Sequence, residues 1–125
     1  MLTGKINSRS EAVVRLWLRG PEGRVLETEA VIDTGFSGSL TLPQKTAAAL
    51  GLDLQGRARA ILADGSERFY QVGEAIVWWH GQARLISVSV MESAPLLGME
   101  LLYGSELALQ VVEGGEVAIQ ELNFS

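Results

Sequence analysis

The chain has 125 residues, 47% of them hydrophobic and 20% charged, the balance of one ordinary globular domain spanning residues 1–125. A net charge of −5 argues against non-specific nucleic-acid binding, and the lack of cysteine excludes thiol catalysis, Cys-based zinc sites and iron–sulfur clusters. No apolar run approaches the ~20 residues that cross a bilayer, and Met1 to Ala12 carries Lys5, Arg9 and Glu11 without an apolar core, so no membrane partner, no signal peptide and a cytoplasmic location are expected.

Turn signals recur at short intervals, which predicts a mostly β chain. Ala12 to Leu18 alternates, with Val14, Leu16 and Leu18 on one face. Gly20-Pro21-Glu22-Gly23 is a turn, and Arg24 to Ile32 completes a hairpin. Asp33 to Ser39 is a small polar loop, and Leu40-Thr41-Leu42 a short strand. Pro43 to Leu50 reads as a helix, with proline in its first turn and Gly51 past its end. Arg57 to Leu62 and Glu67 to Val72 flank Asp64-Gly65, which predicts a type I′ hairpin. Glu74 to Trp79 and Gln82 to Met91 flank His80-Gly81 as another hairpin. Leu96 to Tyr103 reads as a short helix, and Leu107 to Val112 with Glu116 to Leu122 as a last hairpin. Two short helices on many strands point to a small closed β structure.

Asp33-Thr34-Gly35 follows the apolar pair Val31-Ile32, so a strand ends by presenting a carboxylate in a glycine-bearing turn. Alone, such an Asp reads as a strand terminator that bonds its own backbone. Pro95-Leu96-Leu97-Gly98 adds a second signal further along, and Asp64-Gly65 lies between the two at a hairpin tip. This order resembles the retropepsin-like aspartic proteases, and the short bacterial members above all. The resemblance extends through Phe36, Ser37, Gly38, Leu40-Thr41-Leu42-Pro43 and Leu50-Gly51-Leu52, and covers about Val13 to Val112.

The resemblance implies an all-β, small closed β-barrel of the retropepsin type with one or two short helices, acting as a homodimeric aspartic endopeptidase. Two carboxylates hold one water, share one proton and titrate as a coupled pair. The chain has one matching Asp, so the second carboxylate is implied to be Asp33 of a second copy, brought to a two-fold axis. Thr34 is implied to reach across that axis, and the Gly35 backbone to steady the carboxylate. Leu96, Leu97 and Gly98 would support the active loop from beneath, Gly98 for want of a Cβ. Ala63, Asp64, Gly65 and Ser66 would form the flap over an extended peptide substrate. No cofactor and no metal are implied. In retroviral relatives the chain ends interleave into a dimer sheet, and some terminal strand is expected at the interface here.

Two departures bear on specificity. Phe36 is bulkier than the residue usual after Asp-Thr-Gly, and either enters the core or narrows a substrate pocket. Asp64 puts a charge where retroviral flaps are apolar, to select basic substrates or merely to make a turn. Other features carry less. His80 is the only histidine, at a predicted turn, and a Ser-His-Asp site would need a serine beside it. Trp78 and Trp79 are adjacent on a strand and so face opposite ways, one to the core. Gly114-Gly115 lacks the Lys and helix of a phosphate loop. Rival readings are a catalytically silent module that keeps the fold to bind peptide or dimerise, and an unrelated small barrel with a chance Asp-Thr-Gly.

Overall fold

A computed structural model describes residues 1–123, with 53% strand and 8% helix. In chain order the elements are β1 Leu2–Ile6, β2 Ala12–Arg19, β3 Val25–Ile32, β4 Leu40–Leu42, α1 Gln44–Ala49, β5 Gly56–Ile61, β6 Glu67–Trp79, β7 Gln82–Val90, β8 Leu96–Leu97, α2 Met99–Leu102, β9 Ser105–Leu109 and β10 Glu116–Glu121. Among the described residues no helix is long and apolar enough to cross a membrane.

The strands join one sheet in the order β5-β6-β7-β4-β8-β3-β2-β1-β10-β9. β6 also pairs with β2, at Leu18↔Val77 and Arg19↔Ile76. The path β2-β3-β8-β4-β7-β6 therefore returns to its start. Inside it the alternating residues of β2 (Val14, Leu16, Leu18) pack with Leu40, Leu42, Val77, Val88 and Leu97 in one apolar cluster. Alternation thus decides which side of β2 faces inward. Trp17, the residue between Leu16 and Leu18, is 54% exposed.

The hairpin over Gly20 to Gly23 forms as its residues require. The Gly23 N–H donates to the Gly20 carbonyl, and Gly23 adopts φ +88°, where a side chain is disfavoured. Pro43 precedes α1 in extended conformation, and Gly51 follows it at φ +69°, as the start and stop signals predict. His80 and Gly81, at φ 50° and 77°, make the two-residue turn between β6 and β7. Trp79 is 5% exposed and Trp78 is 55% exposed, so the pair divides between core and surface.

Five expectations need correction. The segment from Leu96 is no continuous helix: Leu96 and Leu97 enter the sheet between β3 and β4, and only Met99–Leu102 is helical. Insertion between two strands satisfies this backbone better than a short isolated helix could. The first residues, read only for their charges, form β1, which pairs with both β2 and β10. Glu67 to Trp79 is one strand through Gly73, where a Cβ would lie 2.9 Å from the Asp53 carbonyl oxygen. Glycine there marks a close approach of another segment, not a strand end. The last hairpin pairs Ser105–Leu109 with Glu116–Glu121, earlier on its first arm than expected.

The Asp64-Gly65 turn is the fifth. The Gly65 N–H donates to the Leu62 carbonyl at 2.9 Å, and Gly65 alone has positive φ, +84°. A type I′ turn needs positive φ at both central residues. The loop is instead a type I turn followed by a left-handed glycine. The Asp64 carboxylate accepts from Ser66 N–H and Oγ, which ties the turn in this form.

Candidate active site

Asp33 begins where β3 ends. Its N–H donates to the Leu97 carbonyl at 2.9 Å, which fixes the backbone that carries the carboxylate. The Gly35 N–H in turn donates to Asp33 Oδ1 at 2.9 Å, and the Phe36 N–H to the Asp33 carbonyl at 3.1 Å. The carboxylate is thus oriented by its own loop, while Asp33 is half-buried and Thr34 and Gly35 are exposed. A self-bonding turn and an aimed carboxylate are here the same arrangement.

β8 lies under this loop. It runs parallel to β3 (Val31↔Leu96, Ile32↔Leu97) and antiparallel to β4 (Leu40↔Leu97). Leu97 and Leu40 are fully buried. The Leu96 N–H donates to Thr41 Oγ1 at 2.9 Å, so a buried hydroxyl supplies what the short strand lacks. Gly98 then passes against the loop. A Cβ there would lie 2.2 Å from the Gly38 carbonyl oxygen and 2.5 Å from the Phe36 ring. A Cβ on Gly38 would sit 2.6 Å from the same ring. Phe36, half-buried, therefore lies across two glycines and is not part of the apolar core that one of its two readings gave it. Beyond Gly98, the Met99 N–H donates to the Phe36 carbonyl and the Glu100 N–H to the Gly38 carbonyl. Leu96, Leu97, Gly98 and the Asp33 loop are brought together, and Gly38, Thr41 and Phe36 join them. The roles of Gly38 and Thr41 were not readable beforehand, because each depends on a segment far away in sequence.

The expected flap residues are placed apart from Asp33's hydrogen-bonded set. Ala63, Asp64, Gly65 and Ser66 are all exposed at the β5–β6 tip, and their turn bonds are internal to the hairpin. The Asp64 carboxyl is held below its ordinary value, first by the Ser66 hydroxyl and then by the Ser66 N–H. Arg59 pairs with Glu67 across the hairpin at 3.2 Å, and the Arg57 guanidinium lies 4.9 Å from the Phe69 ring centre. These are exposed contacts of small worth.

A cavity of about 610 Å³ lies among β1, β2 and β10, with Lys5, Arg15 and Glu29 in its lining. Thr34 lines another of about 330 Å³, and Asp33 lines neither. Among the described residues no group of three or more His, Asp or Glu side chains is gathered as metal ligands would be.

His80 does meet a serine. Its Nε2 lies 2.8 Å from Ser105 Oγ, and its ring packs edge-on against Trp79. Among the described residues no carboxylate hydrogen-bonds to the imidazole, so the third group that orients a catalytic base is missing. The pair ties the β6–β7 turn to the start of β9.

No protein-family model matches the sequence, and no curated protein sequence matches it. The fold does match a solved structure: the crystal structure of a retropepsin-like aspartic protease from Rickettsia conorii. The TM-score is 0.62 at 17% identity, over 98% of this chain and 91% of that one. The chain has the fold of a retropepsin-like aspartic protease.

Proposed function

We propose that the protein is an aspartic endopeptidase whose site is completed by two copies of the chain, each contributing Asp33. The observation that carries this reading is the Asp33-Thr34-Gly35 loop pinned by Leu97 and held against Gly98. The likeness of fold to a retropepsin-like aspartic protease supports it. On this reading the whole chain is one retropepsin-type domain, its barrel closed by the β2–β6 pairing, and it works in the cytoplasm without cofactor or metal. Its substrate is a peptide or protein segment in extended conformation, and neither nucleic acid nor membrane is a partner.

The chemistry follows from two facing carboxylates that share one proton. The ionised one takes a proton from a water as the water oxygen attacks the scissile carbonyl carbon. The protonated one gives its proton to the carbonyl oxygen, which leaves a neutral gem-diol. A proton then passes to the amide nitrogen, the C–N bond breaks, and a carboxylic acid and an amine depart. Gly35 N–H holds the orientation of Asp33, Thr34 stands at the axis, and Ala63 to Ser66 close over the peptide.

Incubating wild type and Asp33→Asn with a diverse peptide mixture across about pH 4 to 7, the range around carboxylate titration, tests the reading by mass spectrometry of the products. Cuts made by wild type alone are expected. Equal cutting by both proteins would overturn the assignment. A folded dimer that never cuts would move the protein to the silent peptide-binding or dimerisation class.

A further inference from the structure

The β5–β6 hairpin leaves the body of the sheet near Gly73, and alternation decides which of its side chains turn toward that body. Gly73, Ala75, Val77 and Trp79 are the buried residues of β6. Ala75 and Val77 pack in the same cluster as Leu40 and Leu97, the residues beneath the Asp33 loop. A strand puts every second residue on one side, so Glu67, Phe69 and Gln71 share the side of Gly73 and Ala75. On β5, Ile61 stands opposite Glu67, Arg59 opposite Phe69 and Arg57 opposite Gln71. Residues directly opposite in an antiparallel pair share a face. Both large apolar residues on this face are open: Ile61 is 66% and Phe69 57% exposed.

The face is also charged, against the sign of the whole chain. The chain has a net charge of −5, yet this face carries two guanidinium groups and one carboxylate. Arg59 meets that carboxylate, Glu67, at 3.2 Å. Arg57 has no carboxylate partner among the described residues, and its guanidinium lies over the Phe69 ring, 4.9 Å from its centre. A guanidinium resting on a ring keeps N–H donors for a planar acceptor, and a carboxylate fits them with two parallel bonds. Asp64, the charge at the tip itself, already accepts from the Ser66 N–H and hydroxyl. Of its two readings the turn is the supported one, which leaves selection by charge to the arginines.

We infer that Arg57, placed on Phe69, is a specificity-determining residue that donates to the side-chain carboxylate of an Asp or Glu in the extended peptide, close to the bond that is cut. Phe69 and Ile61 cover apolar neighbours of that residue. The inference rests on the endopeptidase reading with the β5–β6 hairpin as its cover, and it names the substrate class as acidic peptide segments.

The test uses the full chain and an extended peptide of small and apolar residues, with Glu or Gln placed in turn at successive positions. Values of kcat/KM are compared for wild type, Arg57→Gln, Arg57→Lys and Arg68→Gln, with circular dichroism as the folding check. Arg68 stands opposite Ala60, on the other face of the hairpin. At one position wild type should prefer Glu over Gln by about tenfold, the effect of one charge-assisted hydrogen bond. Arg57→Gln should bring the two peptides to parity. Arg57→Lys, which keeps the charge without the planar fork, should lie between, and Arg68→Gln should keep the full preference. A wild type indifferent to Glu and Gln at every position, or a preference that Arg57→Gln retains, would overturn the inference. Binding of the same peptides to Asp33→Asn, followed by NMR at the Phe69 ring, separates the subsite from the chemistry. Tighter binding of the Glu peptide, lost when Arg57→Gln is added, sustains the subsite even if wild type cuts nothing, and that result overturns the endopeptidase reading alone. Equal binding of both peptides overturns the subsite whatever the chemistry.

Discussion

The Asp33 loop and the β5–β6 hairpin tip are both turns between strands, yet they are held in opposite ways. The Asp33 loop adds to its own Gly35 and Phe36 bonds restraints from distant parts of the chain: the Leu97 carbonyl, and the close passage of Gly98 beneath Phe36. The tip takes its restraints from itself, through Leu62, Asp64, Gly65 and Ser66, and every one of its residues is exposed. A loop tied to the core opens only when the core does, whereas a self-contained hairpin can move as a unit at small cost. A hydrolytic site needs both, a fixed carboxylate and a cover that admits substrate. Substitutions in the two regions should therefore separate stability from turnover.

The largest effect is expected at Gly98→Ala. The new Cβ meets two carbonyl oxygens and the Phe36 ring within 2.7 Å, with no flexible side-chain end to give way. Destabilisation of about 3 kcal/mol, the upper part of the overpacking range, should be read by chemical denaturation, with cleavage lost in parallel. Stability close to wild type would mean that the β8–loop contact is looser than described. Thr41→Val comes next. It keeps the volume of the fully buried Thr41 but leaves the N–H of half-buried Leu96 without its acceptor, which should cost about 1 kcal/mol, the lower part of the range for an unpaired donor.

At the tip the ordering of effects should reverse. Gly65→Ala meets no atom within 4 Å but must hold φ +84°. It carries about 1–2 kcal/mol of local strain, which an exposed hairpin can relax by altering its turn. The denaturation midpoint should move little while cleavage falls by more than stability accounts for. A pure stability loss without a cleavage defect would remove the tip from the site. The smallest effect concerns Asp64. Its carboxyl is lowered from 3.8, mainly by the Ser66 hydroxyl. A lowered group adds stability above its unfolded value and loses it as pH falls through the folded value. Ser66→Ala should therefore shift the Asp64 titration, followed by NMR, upward toward 3.8. Because Asp64 is solvated, global stability near neutral pH should stay unchanged.

The same division explains what could be read in advance. Local signals carried the Gly20–Gly23 turn, α1 between Pro43 and Gly51, the His80-Gly81 turn and the alternation of β2. The Asp33 loop was legible because its residue types are ordered along the chain with Leu96-Leu97-Gly98. The strand nature of Leu96 and Leu97 was not, because it comes from insertion between β3 and β4 and from the Thr41 hydroxyl. β1 escaped because its short alternation becomes a strand only between β2 and β10. The turn at Asp64 was misassigned because Asp-Gly suits two turn types, and Ser66, two residues on, decides between them. Gly73 read as a break because nothing in its neighbourhood announces the approach of Asp53.

The central claim is that one site uses one Asp33 from each of two chains. Wild type and Asp33→Asn mixed at fixed total concentration, after subunit exchange, test it most directly. Shared sites should make the cleavage rate fall as the square of the wild-type fraction, to about a quarter at an equal mixture, because only wild-type pairs hold both carboxylates. A rate that falls in simple proportion, to about half, would mean that each chain acts alone and would contradict the account.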